Sequence, residues 1–136
     1  AYGMPMLYSG QEAGLNKRLK FFAKDTIDWS DPQQLQPFYR KLVKLHQDHP
    51  ALWAGNYGSQ PVRINERDSL TYAFLRTKGT DEVVGILNFS GNTTNARLTS
   101  PCPTGVYRDY FSGERISLAP GTTIPLKPWQ YLILLK

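Results

Sequence analysis

From Trp53 onward the chain is broken into short apolar runs at close intervals, and this pattern restricts its fold more than any other feature. Residues 60–65, 69–77, 82–89, 94–99, 106–111 and 122–135 are rich in Val, Ile, Thr and aromatic side chains, with clusters of Gly, Asp, Asn, Ser and Pro between them. Branched and aromatic side chains suit a pleated surface, and the intervening residues are turn formers. The spacing predicts six or seven antiparallel strands folded into a small β-sandwich. Tyr72 and Phe74, and likewise Trp129, Tyr131, Ile133 and Leu135, alternate as one buried face would, whereas Val83-Val84 and Ile86-Leu87 form a run suited to a central strand. Hairpin connections are expected at residues 78–81 and 112–114, each containing a glycine.

The residues before this domain have a different texture. Residues 4–8 are apolar and give way directly to Ser9-Gly10-Gln11-Glu12, as a buried strand runs out into a loop. A strand of that kind needs neighbours, which leaves its partners to be found elsewhere. Residues 31–50 carry a helix signal, with Asp31 as N-cap, Pro32 just inside it, and Leu35, Phe38, Tyr39, Leu42, Val43, His46 and His49 at spacings of three and four. Pro37 fits only in the first turn, where amides are unbonded, so regular helix is expected to start between Gln34 and Pro37 and to close at Pro50. The division is therefore residues 1–52 as one region and 53–136 as the sandwich.

With 136 residues and 40% apolar side chains the chain can bury a real core. No apolar run approaches the roughly 18 residues of a membrane span, and no leader-like charged segment followed by an apolar one opens the chain, so no membrane association is expected. The charge of +5 is spread evenly: residues 1–50 hold seven basic and five acidic side chains, residues 51–136 nine and six. Only Lys17, Arg18, Lys20 and Lys24 cluster, around Phe21 and Phe22, and nucleic acid is not expected as a partner.

Recognisable chemistry is sparse. His46 and His49 stand three apart on the helix, but no third ligand accompanies them, so no metal site is assigned. Cys102, between two prolines, is the single cysteine and is read as a packed thiol. No phosphate-binding glycine loop, G-x-S-x-G or C-x-x-C is present, and no cofactor is implied. Glu12 with Asp25 or Asp28 would be a carboxylate pair for acid-base work, yet all lie in irregular chain that fixes no separation, so no catalytic residue is assigned. Trp53 and Trp129, near element ends, are the candidate sugar-stacking residues.

The opening stretch GMPMLYSGQEAGL resembles the segment around the eighth strand of the (β/α)₈ barrel in the α-amylase family of glycoside hydrolases. Gly3, Pro5, Tyr8, Gly10 and Glu12 match its Gly-x-Pro-x-x-Tyr-x-Gly-x-Glu pattern. In order after it, LKFFAKDTIDW is similar to the following loop, FYRKLVKLHQDHPALWAG to the eighth helix and its run-out, and the strands ending PWQYLILL to the C-terminal β-sandwich, domain C. The resemblance implies the last barrel strand, loop and helix over residues 1–52 and domain C over 53–136. It also implies a retaining glycosidase acting on α-glucosidic linkages of starch-like glucans, whose nucleophilic aspartate, acid-base glutamate and third aspartate follow barrel strands four, five and seven. All three precede the matched region, so this chain is expected to be structural and non-catalytic, with the missing barrel as its natural partner and α-glucan as the ligand of the parent. Gln11 departs from the acidic residue common at its place, and Glu12 is a rim residue outside the catalytic trio. Two other readings stay open: a carbohydrate-binding module, and an interaction domain unrelated to sugars. An isolated chain with a bare barrel strand is expected either to fold that opening segment back on the sandwich and helix or to form a homodimer through the strand edge or the helix stripe.

Overall fold

A computed structural model describes residues 3–136. They form two compact units, one spanning Met4–Asp48 and one containing His49–Lys136. In the first, residues 4–8 take no regular secondary structure, contrary to the strand expected there. A ladder needs partners, and among the described residues none pairs with this segment. A 3₁₀ turn follows at Gln11–Ala13, then irregular chain, then helix α1 (Leu35–Asp48).

The start of α1 falls inside the expected window, and Asp31 does cap it. Its carboxylate accepts from the amides of Leu35 (2.6 Å) and Gln36 (3.0 Å), reaching in from outside the helix because Asp31 and Gln34 both adopt left-handed backbone. Pro37 occupies the first turn. Lys44 and Asp48 pair along the last turn at 2.8 Å. The stripe is displaced at its C-terminal half: Leu45 is buried and Val43 exposed, and Leu35, Phe38 and Leu42 are half-buried on the line that leads to Leu45 in three-four-three spacing.

The second unit is the sandwich. Its strands are β1 (Val62–Arg63), β2 (Thr71–Lys78), β3 (Asp81–Asn88), β4 (Thr94–Arg97), β5 (Gly105–Asp109), β6 (Arg115–Leu118), β7 (Thr123–Leu126) and β8 (Tyr131–Leu135). Six of them form an antiparallel sheet in the order β1-β2-β3-β8-β5-β6, and β4 pairs with β7 in a second sheet. Ala73, Val84, Ile86, Leu132 and Leu134 from the first sheet, with Ile64 just after β1, meet Ala96, Ile124 and Leu126 from the second in one buried core. Lys78 pairs with Asp81, closing the β2–β3 hairpin over Gly79-Thr80 with Gly79 in left-handed backbone, as residues 78–81 led one to expect.

Residues 122–135 are not one strand. Lys127-Pro128-Trp129-Gln130 turns the chain, and β7 and β8 go to different sheets. Pro128 lacks the amide a continuous ladder would need. β6, which the sequence did not suggest, is short and half polar. The phase of β8 is also the reverse of that expected: Leu132 and Leu134 point into the core at 6% and 0% exposure, while Tyr131 and Trp129 face outward. In β2, Thr71 and Ala73 are inward and Tyr72 and Phe74 lie on the outer face. Phe74 still has work there, because its ring lies over Gly85 of β3, where a Cβ would come within 2.3 Å of it. The chain enters this unit under a clamp in which Asp81 bonds His49 Nδ1 (2.7 Å) and accepts from the Ala51 amide (2.8 Å).

Candidate functional site

Two places hold the residues singled out from the sequence, and they lie in different units. In the first unit, the backbone folds round Gly10. The Gln11 amide donates to the Tyr8 carbonyl at 2.9 Å, and the Ala13 and Leu15 amides both donate to the Gly10 carbonyl at 3.0 Å. Gly10 is needed twice over: its φ is 88°, and a Cβ would stand 3.0 Å from Ile27 and Leu15. Gln11 holds the turn to the helix, its Nε2 donating to the Tyr39 hydroxyl at 2.8 Å while its Oε1 accepts from the Tyr8 amide at 3.2 Å. Glu12 sits in the same turn with Oε2 buried and without a hydrogen-bond partner. Gly3 and Pro5 lie in the irregular exposed stretch before it.

Tyr8, Gln11, Asn16, Gln33 and Tyr39 line an open hollow of about 540 Å³ in this unit. Leu15 and Leu35 complete its walls, so amides and phenols that can hydrogen-bond hydroxyls alternate with apolar surface, and no carboxylate lines it. Asp25 is occupied in holding the neighbouring loop: it takes Lys17 at 2.7 Å and the Lys20 and Thr26 amides, and these bonds lower its pKa to about 2. Asp28 is bonded to the Ser30 amide, which lowers its pKa as well. Neither carboxylate is paired with Glu12 by any of these bonds.

In the second unit, Trp53 and Trp129 are far apart. Trp53 lies where its carbonyl accepts from Arg76 Nη2 at 2.8 Å, near the hairpin end of β2. Trp129 lies at the opposite end, its amide donating to the Ser90 carbonyl at 3.0 Å. At about 3.4 Å per residue the two are roughly 20 Å apart along the strands, too distant for a single sugar ring. Trp129 is 66% exposed and Trp53 37%. Trp129 also has a φ of 57°, a conformation that bulky side chains seldom adopt.

The turn that carries Trp129 is tied down by Asn88, which the sequence reading passed over. Asn88 is 3% exposed; its Nδ2 donates to the carbonyls of Asn92 and Lys127, both at 2.8 Å, and its Oδ1 accepts from the amide and hydroxyl of Ser90 at 2.9 and 2.8 Å. The signal available was a polar residue ending an apolar run. His49 is engaged with Asp81, so it and His46 do not converge on one ligand, and no cluster of metal-ligating side chains occurs among the described residues. Cys102 is buried, with its thiol pKa raised by that burial. No helix among the described residues is long and apolar enough to cross a membrane.

A six-stranded sheet with a second sheet of β4 and β7 defines the class: an all-β sandwich domain preceded in the chain by a loop-and-helix unit. Residues 63–124 match the family model described as "Alpha amylase, C-terminal all-beta domain". The α-amylase 2 of Dictyoglomus thermophilum is 31% identical over 82% of this chain and 20% of its own length. A maltogenic α-amylase of Bacillus acidopullulyticus is 28% identical over 97% of this chain and 23% of its own. The crystal structure of a noncanonic maltogenic α-amylase from Thermotoga neapolitana superposes with a TM-score of 0.79 at 18% identity, over 99% of this chain and 33% of that one, which speaks for the fold alone. The chain carries the C-terminal all-β domain found in α-amylases. It spans about a fifth of the length of these curated relatives.

Proposed function

We propose that residues 4–52 supply the last strand, loop and helix of a (β/α)₈ barrel, and that residues 53–136 are the domain C that follows it, in a protein that hydrolyses or transfers α-glucosidic linkages of starch-like glucans. The chain's own part is structural. The retaining route needs two carboxylates about 5 Å apart across the scissile bond, and such a pair belongs to the earlier barrel strands. Gly3, Pro5, Tyr8, Gly10 and Glu12 then shape the rim of the cleft, with the amides and phenols of the hollow beside Tyr8 and Gln11 facing sugar hydroxyls.

The observation that carries this reading is the apolar segment before the turn. Met4 and Met6 are 85% and 82% exposed, and Phe21 and Phe22 87% and 95%, a degree of exposure that water disfavours and neighbouring barrel elements would relieve. The match to the maltogenic relative runs through this segment as well as through the sandwich. Purified as it stands, the chain should release no reducing sugar from starch or maltooligosaccharides, and extension with its upstream coding sequence should create that activity. Turnover by the chain itself, abolished by Glu12→Gln, would overturn this reading.

Without the barrel, the same apolar surface is covered by a second copy, giving a homodimer through residues 4–8 or the stripe of α1. Light scattering after size exclusion should report twice the chain mass. A strict monomer at high concentration, in which residues 4–30 exchange amide hydrogens as freely as an unfolded chain, is the contrary result.

A further inference from the structure

Two arginines meet on the outer face of the larger sheet with no acid to offset them. Arg108 of β5 and Arg115 of β6 are direct cross-strand partners, and both are exposed. The Asp109 amide donates to the Glu114 carbonyl at 2.8 Å, so the next pair along, Arg108 with Arg115, is the kind without mutual hydrogen bonds, in which side chains stand closest. Like charges placed in this way weaken a ladder, and a nearby carboxylate is the usual relief. The neighbours on this face supply none. Arg108 has Leu135 opposite it on β8, with Val106 and Tyr110 two positions away along the chain. Arg115 has Ser117 two positions on, and β6 is the edge of the sheet.

The acids of the adjoining chain are committed elsewhere. Asp109 is buried and accepts from the amides of Ser112 at 2.8 Å and Ile133 at 3.0 Å. Glu82 accepts from the Tyr107 hydroxyl and has Lys136 Nζ at 3.7 Å. Glu114 directly precedes Arg115 and so falls on the other face of the ribbon. Among the described residues neither arginine enters an ion pair. Arg108 is nevertheless held in place, its Nε donating to the Gly113 carbonyl at 3.1 Å, which leaves its two Nη groups as donors for a ligand. Beside it, Arg108, Tyr110, Gly113, Leu135 and Lys136 line a hollow of about 360 Å³, with room for a small ion and its water.

Two guanidinium forks side by side select an oxyanion. A carboxylate has two oxygens, enough for one fork, whereas a phosphate group has at least three and a second charge, enough for both. A polyanion would need a longer basic stripe than two side chains. We infer that Arg108 and Arg115 form a binding site for a single phosphate group, free or as a monoester, on the outer face of β5 and β6. The site goes beyond the proposed function and stands whether or not that reading does. It is open to water and screened by salt, so its Kd is about 1 mM.

The test is a titration of the full chain with sodium phosphate at about pH 8 and low salt, followed by the arginine Nε–H and backbone amide resonances in nuclear magnetic resonance. The Nε–H signals of Arg108 and Arg115 and the amides of residues 108–115 should shift together, with one Kd of about 1 mM. Arg108→Gln and Arg115→Gln should each weaken binding roughly fivefold or more, and Arg115→Lys, which keeps the charge and loses the fork, roughly threefold. Arg115 is exposed at the sheet edge, so its replacement leaves the fold intact. Arg97→Gln is the control for general charge, because Arg97 lies on β4 of the other sheet and already faces Glu66 at 3.5 Å, and it should leave binding unchanged. Acetate should bind roughly tenfold more weakly than phosphate. Methyl phosphate separates the two sources: binding as tight as that of inorganic phosphate assigns the site to a monoester, and weaker binding assigns it to the free ion. No movement of residues 108–115 in roughly 50 mM phosphate, affinity unchanged in Arg115→Gln, an equal loss in Arg97→Gln, or acetate bound as tightly as phosphate overturns the inference.

Discussion

Replacing Asn88, the buried last residue of β3, by Ala should cost the sandwich more than truncating a polar side chain of its surface loops. The side chain makes four hydrogen bonds, and the partners fare differently when it is removed. The carbonyls of Asn92 and Lys127 belong to exposed residues and can turn to water, as the Ser90 hydroxyl can turn to the Asn92 carbonyl it already approaches at 3.3 Å. These three exchanges cost about 0.5 kcal/mol each. The Ser90 amide is buried and becomes an orphan donor, about 1.5 kcal/mol more, so the expected loss is about 3 kcal/mol. Urea unfolding followed by circular dichroism measures it as a lowered midpoint at unchanged slope. Asn88→Asp sharpens the test. It keeps the acceptor for Ser90 but turns an unpaired carboxylate oxygen toward two carbonyls, which raises its folded pKa above the unfolded value. Its defect should therefore be fully present at neutral pH and shrink as pH falls through the raised value, where the protonated acid can donate again. A loss under 1 kcal/mol in Asn88→Ala, or an Asn88→Asp variant as stable as the parent at neutral pH, would refute the reasoning.

Gly85→Ala should destabilise by about 2 kcal/mol through its clash with Phe74, and be neutral or favourable in a Phe74→Ala background, where the Cβ finds room; equal effects in both backgrounds by chemical denaturation would contradict this. Asp25 is held below its unfolded pKa by Lys17 and two amides, so its contribution is intact above 3.8 and is lost as pH falls toward about 2. Amide exchange in residues 17–26 should accelerate selectively over that window, and an unchanged profile in Lys17→Met would speak against the assigned cause.

Where local rules carried a signal, the sequence was a good guide. Asp31 and Pro37 between them placed the start of α1, because a cap and a proline act within one turn. Lys78-Gly79-Thr80-Asp81 placed the β2–β3 hairpin, because the glycine supplies the positive φ that the turn demands. The failures occurred where a decision depended on distant partners. Tyr131-Leu132-Ile133-Leu134-Leu135 is apolar at every position, so alternation cannot say which side faces the core; pairing with Val84 and Ile86 decides it. Residues 4–8 read as a strand because they are apolar, but a strand exists only in a ladder. Of the candidate site residues, Tyr8, Gly10 and Glu12 were brought together because they share one tight turn. The environment of Trp129 was hidden, since Asn88 joins it through contacts across 39 residues of sequence.

The placing of β8 has a consequence for how the domain comes into being. It is the last strand in sequence yet lies between β3 and β5 in the middle of the larger sheet. As the chain is synthesised, β2–β3 and β5–β6 emerge first, and each can zip up locally within microseconds. They then wait as two separate hairpins, each with one inner edge open, until residues 131–135 are made and slot between them. Open edges recruit other chains, so this interval is when a nascent molecule is most exposed to mispairing with its neighbours on the same message. Once inserted, the strand is bonded on both sides, and it cannot leave without splitting the sheet in two.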